Sequence, residues 1–151
     1  MKKFFLQTAA VFSVLFFTCT SASALIDNDK PITLNDLPQS ALTTITQNFV
    51  KRNVTLTVLE ADLLDKSYNV YFKNGDKVEF DRKGNWTEVV CKTGGVPAAL
   101  VPQAIADYVK ANHPDTKIVK IERENNTYEV NLSNGFEYTF NKKFKVVDVD
   151  R

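Results

Sequence analysis

The sequence predicts an α+β fold: a tandem repeat of one helix packed on a four-stranded antiparallel sheet. Three observations carry this reading. Leu37-Pro38-Gln39 and Val101-Pro102-Gln103 each open an amphipathic helix. Each helix is followed by strand patterns whose hairpins turn at Asn74-Gly75 and Asn134-Gly135. Each unit then closes through Phe80-Asp81-Arg82-Lys83 or Phe140-Asn141-Lys142-Lys143 and a last strand. One such unit is too small to bury a good core alone, so the duplication itself governs the architecture.

The N-terminal segment reads as a signal peptide over residues 1–24. Met1-Lys2-Lys3 is a basic start, Phe4 to Phe17 is mostly apolar, and Ala22-Ser23-Ala24 has the small-x-small pattern of a cleavage site. The apolar run is too short for a spanning helix, so no membrane span is expected once the signal is removed. Phe16-Phe17-Thr18 fits a lipobox badly, which argues against a lipid anchor on Cys19. A soluble periplasmic or secreted protein follows. Residues 25–36, polar and interrupted by Pro31, read as an extended lead-in or a partly ordered tail.

The first repeat spans residues 37–91. Its helix is expected from about Pro38 to Val50, capped by Asp36, with Pro38 in the first turn and Ala41, Leu42, Ile45 and Phe49 as the apolar stripe. Val54, Leu56 and Val58 alternate with threonines, and Tyr68, Val70 and Phe72 alternate again, both as half-buried strands do. Asn74-Gly75 makes the hairpin because both residues tolerate positive φ. Val78 and Phe80 return, and Trp86 to Cys91 closes the unit. Residues 92–100 form the linker, with Gly94-Gly95 as its turn. The second repeat, residues 101–151, has its helix from about Pro102 to Asn112, with Ile105, Tyr108 and Val109 as its stripe, stopped by His113-Pro114. Tyr128, Val130 and Leu132, then Phe136, Tyr138 and Phe140, then Val146 to Val149 supply its strands.

Charge and composition exclude several classes of function. Without residues 1–24 the chain carries 17 basic and 18 acidic side chains, so it lacks the footprint of a nucleic-acid binder. Cys91 is then the single cysteine and forms no internal disulfide. His113 is the only histidine, and a triad, a Cys-His dyad or a histidine metal pair would each need it. Its place before a proline at a helix end reads as a helix-terminal residue. No phosphate loop or hydrolase motif occurs, and neither a metal nor a cofactor is expected.

Strand parity places Asn69, Tyr71, Lys73, Lys77, Glu79, Trp86 and Glu88 on the sheet face turned away from the helix, with Glu129, Asn131, Glu137, Thr139, Val146 and Asp148 as their counterparts. Within this surface Tyr71, Trp86, Lys73 and Glu88 are the candidate partner-binding residues, since exposed aromatic side chains gain most from burial at an interface. Trp86 has an alternative place over the seam between repeats. A second reading is small-ligand or cation sensing through the loop at Asp62 to Lys66, an insertion that only the first repeat has. A third, a degraded enzyme, rests on Cys91 and His113 alone.

The residues also resemble a known family. Leu37-Pro38, Tyr68-Asn69-Val70-Tyr71-Phe72, Asn74-Gly75 and Phe80-Asp81-Arg82-Lys83-Gly84-Asn85-Trp86 resemble the PepSY-like secreted proteins of Bacteroidetes, whose fold is similar to that of the beta-lactamase inhibitor protein. The second repeat departs, with Asn141 for Asp81, Phe144 for Gly84 and Val146 for Trp86. The resemblance implies a non-catalytic protein of the cell envelope that holds a protein or peptide partner on its open sheet face, in a peptidase-inhibitor-like role. No beta-lactamase-binding residue carries over, because no motif here matches one.

Overall fold

The computed structural model describes residues 29–49, 53–61 and 65–151. The signal peptide, Cys19 and Asp62 lie outside the described residues. Nine strands form one antiparallel sheet in sequence order: β1 (Lys30–Pro31), β2 (Val54–Ala61), β3 (Lys66–Phe72), β4 (Lys77–Asp81), β5 (Trp86–Val90), β6 (Ile118–Glu124), β7 (Thr127–Leu132), β8 (Glu137–Asn141) and β9 (Val146–Asp150). Helix α1 (Gln39–Asn48) precedes β2, and α2 (Gln103–Asn112) precedes β6.

Two four-stranded units side by side, offering one broad sheet surface, are the expectation, and the structure joins them in a single hydrogen-bonded sheet. β5 pairs directly with β6 through Glu88↔Glu122, Val89↔Ile121 and Val90↔Lys120. Left as edges, those strands would each present a row of unpaired backbone groups. The lead-in contributes the ninth strand, with Lys30 and Pro31 opposite Leu59 and Val58.

Both helices serve one apolar core. Ala41 and Ile45 of α1 and Ile105 and Val109 of α2 are buried together with Val70, Val78, Phe80, Val89, Ile121, Val130 and Phe140 of the sheet. Phe80 and Phe140 lose all exposure, and each such side chain contributes roughly 1.5–3 kcal/mol. The stripes predicted for the two helices therefore hold.

Asp36 does not cap α1. Its carboxylate accepts from the Thr33 amide at 2.8 Å and the Thr33 hydroxyl at 2.7 Å, closing a short 3-10 turn over Leu34–Asp36. Pro38 takes the residue position just before α1, where its missing N–H costs nothing.

The hairpin turns also differ from the simple Asn-Gly expectation. Phe72 and Asp76 close a three-residue loop, and Gly75 alone takes positive φ, at +83°. That is a type I turn followed by a left-handed residue, so Asn74 needs no unusual backbone.

Among the described residues four bulges shape the sheet, at Val54/Leu56, Glu79/Phe80, Ile118/Lys120 and Thr139/Phe140. Each adds one residue to a strand and so reverses the facing of what lies beyond it.

Candidate functional site

With both helices on one side, the other sheet face is left uncovered by them, and cross-strand register aligns its side chains in two rows. One row runs Val58, Asn69, Glu79, Glu88, Glu122, Glu129, Thr139, Asp148 from β2 to β9. The next runs Leu56, Tyr71, Lys77, Val90, Lys120, Asn131, Glu137, Asp150. Four glutamates therefore stand side by side on β4, β5, β6 and β7. Neighbouring strands lie about 4.8 Å apart, so the ladder extends over about 14 Å.

Like charges directly opposite one another destabilise a sheet. Two lysines in the second row offset this. Lys77 Nζ lies 3.1 Å from Glu79 and 3.0 Å from Glu88. Lys120 Nζ lies 2.7 Å from Glu122, 3.1 Å from Glu129 and 3.6 Å from Glu88. Glu88 thus bridges the two lysines across the junction of β5 with its neighbours. Burial opposes the charge on Lys77 and Lys120, but the hydrogen bonds to their glutamates outweigh it and hold both ammonium groups above the ordinary lysine range.

Two lysines against four glutamates leave the ladder acidic. Glu137, Asp148 and Asp150 extend the negative charge toward β9. None of these three is in an ion pair with a described residue. Two acceptors on the same face also lack donors: Oδ1 of Asn69, a residue only 1 % exposed, and Oδ1 of Asn131, whose amide nitrogen donates to Glu137 at 2.6 Å.

The structure separates the four predicted binding residues. Tyr71 and Glu88 share the open face, one on each side of Lys77. Lys73 is exposed in the hairpin loop after β3, beyond the paired part of the strand. Trp86 is on the other face. The Glu79/Phe80 bulge shifts parity, so Trp86 sits opposite Phe80 and packs on the core. Arg123 covers its ring at 4.8 Å and donates from Nη2 to the Trp86 carbonyl at 2.8 Å, tying β5 to β6. Val146 moves to the core face for the same reason, opposite Phe140. Lys120 and Glu122 were not among the candidates, because their membership depends on the β5–β6 pairing, which leaves no local signal.

His113 and Cys91 are both held by their surroundings in the fold. His113 Nε2 lies 2.6 Å from the Tyr138 hydroxyl, and its ring packs on Phe136 at 4.9 Å. Cys91 is 2 % exposed, and burial, followed by the nearby Asp76 charge, pushes its thiol up to about 12. Among the described residues no group of three or more His, Cys, Asp or Glu side chains is placed to hold a metal ion. Asp65 is exposed and accepts from the Lys66 amide at 2.8 Å. An apolar recess of about 360 Å³ lies between α2 and the linker, with Lys110, His113 and Lys117 among its lining. No described helix is long and apolar enough to cross a membrane.

Residues 66–148 match the family described as "Putative beta-lactamase-inhibitor-like, PepSY-like". No curated protein matches the chain. Similar crystal structures include three from Bacteroides. A "putative periplasmic protein" of Bacteroides vulgatus is 53% identical, with 83% of this chain and 99% of that chain covered and a TM-score of 0.80. A "putative calcium-regulated periplasmic protein" of Bacteroides thetaiotaomicron is 51% identical over 83% of this chain and 98% of that one, also at 0.80. A "putative periplasmic protein of unknown function" of Bacteroides vulgatus is 37% identical over 82% and 99%, with a TM-score of 0.75.

Proposed function

The chain belongs to the PepSY-like family, and on that premise we propose that it is a non-enzymatic binding protein holding a protein or peptide partner on its open sheet face. Its place is the periplasm or the secreted fraction, where the similar structures also belong. One observation carries the reading: a broad face free of both helices, on which Tyr71 borders an ion-paired ladder centred on Glu88. Such a surface combines an aromatic anchor with fixed charge, the two features that give an interface affinity and register. An inhibitor-like role adds the family description to this surface, and that step is analogy from fold.

The test is capture from envelope extract with wild-type protein and with Tyr71→Ala and Glu88→Ala. Loss of a wild-type partner in both variants supports the face. Full retention in both removes it.

Cation sensing is the second reading, favoured by the name of the Bacteroides thetaiotaomicron relative. Asp65 belongs to the loop concerned. Titration with calcium in a calorimeter decides it, and an absence of heat ends it.

A further inference from the structure

We propose that the partner of the open face is a cationic protein segment in extended form, with lysine or arginine at alternate positions. This rests on the reading of the open face as a binding surface and specifies its partner. Three observations lead there. The four-glutamate ladder keeps two carboxylates more than its lysines neutralise. Glu137, Asp148 and Asp150 carry the excess outward along β8 and β9, without ion-pair partners among the described residues. Independently, the buried Oδ1 atoms of Asn69 and Asn131 are acceptors without donors, and Asn69 stands in the glutamate row itself, opposite Glu79.

A face made of acceptors and excess negative charge calls for a donor-rich, positive occupant. Lysine and arginine side chains are donors only. The spacing selects the form. Alternate residues of an extended chain are about 6.7 Å apart, so three cations at alternate positions cover about 13 Å, close to the length of the ladder. The N–H groups of such a chain are donors, which the Oδ1 atoms of Asn69 and Asn131 lack.

Near-neutral net charge hides this polarity, because basic residues gather elsewhere. Lys142, Lys143 and Lys145 lie in or beside the last hairpin turn, and Arg123 lies over Trp86 on the core face.

Fluorescence anisotropy at low ionic strength tests the proposal, using labelled peptides of equal length in which serine alternates with lysine, glutamate or asparagine. The lysine peptide binds wild-type protein and the other two do not. Replacing Glu137→Gln, Asp148→Asn and Asp150→Asn together weakens it about tenfold, each charge contributing a few-fold. Replacing Asp107→Asn and Asp115→Asn on the helix side leaves it unchanged. Equal binding of the three peptides, no binding of the lysine peptide, or an equal loss in both sets of variants overturns it. A photo-crosslinker at Tyr71 in envelope extract separates this failure from failure of the open face. An adduct at Tyr71 with none at Ala111 on α2 keeps the face while the cationic partner falls; no adduct removes both.

Discussion

Lys120 provides the most direct test of whether the glutamate ladder is held by charge. Its ammonium serves Glu122 at 2.7 Å, Glu129 at 3.1 Å and Glu88 at 3.6 Å, and its side chain is 27% exposed. Partly exposed pairs are worth about 0.5 kcal/mol each, so Lys120→Met removes about 1.5 kcal/mol. Methionine keeps an unbranched apolar stem over the sheet, so the loss isolates charge from packing. For a chain of this size that corresponds to a fall in melting temperature of about 6 °C. The effect has a partner dependence that packing lacks. In a Glu122→Gln, Glu129→Gln background, Lys120→Met retains only the Glu88 contact to lose, and its cost falls to about 0.5 kcal/mol.

Thermal and urea unfolding of the four proteins measure this cycle. In about 1 M salt, where screening reaches down to about 3 Å, the gap between wild type and Lys120→Met narrows. The pH dependence follows from the raised lysine. A folded-state value above the ordinary 10.5 means stability fully present below 10.5 and lost as pH rises through the folded value. The gap is therefore flat from neutral pH to about 10 and closes above it. An equal cost of Lys120→Met in both backgrounds, unaffected by salt, refutes the charge argument.

Three further predictions concern the fold. Gly84, at φ +81°, carries the turn against α1, and a Cβ there overlaps Ser40 Oγ and lies 2.7 Å from Pro38 Cβ; Gly84→Ala costs about 2 kcal/mol or more, read from urea midpoints, and a neutral outcome contradicts this packing. Asp81 feels burial, but its hydrogen bonds from Asn85 and Lys83 prevail and hold its carboxyl below the ordinary 3.8, so its contribution is present above that value and lost as pH falls through the folded one. Asp81→Asn flattens that acid limb, because Asn141 fills the matching place in the last turn with bonds of 2.9 and 3.1 Å from the Lys143 and Lys145 amides; an unchanged acid limb shows that Asp81 is not its source. The buried Cys91 thiol, raised to about 12, reacts with a disulfide reagent only as fast as the protein opens, and rapid labelling of the native protein at neutral pH counts against its burial.

Local signals were legible and long-range pairing was not. Helix stripes at Ile45 and Ile105, the alternation of Val70 with Phe72, and the turns near Gly75 and Gly135 are written in residues a few positions apart. Trp86 was misplaced because a bulge is a property of two strands together, and nothing in Trp86 to Val90 alone announces that Thr87 has no partner. Lys120 and Glu122 went unselected for a related reason. Alternation of charge with Ile121 is visible in sequence, but the adjacency of Glu122 to Glu88 exists only once β5 finds β6 across the whole linker and α2.

That adjacency places the ladder across both halves of the chain. Tyr71, Trp86 and the loop after β2 all belong to the half of the chain that precedes α2. The ladder belongs to neither half alone. Lys77, opposite Tyr71, has Glu137 at the matching position opposite Asn131, and Glu79, opposite Asn69, has Thr139 opposite Glu129. The half of the chain that follows α1 contributes β4 and β5 and the half that follows α2 contributes β6 and β7, so glutamates from both halves meet at the junction. A row of like charges there opposes sheet formation, and sheet pairing alone has no need of it. Two lysines reduce that cost without cancelling it. A surface that keeps an uncompensated repulsion at the centre of its sheet is stabilised by whatever brings the missing positive charge, so a cationic partner that lowers the repulsion also raises the stability of the fold.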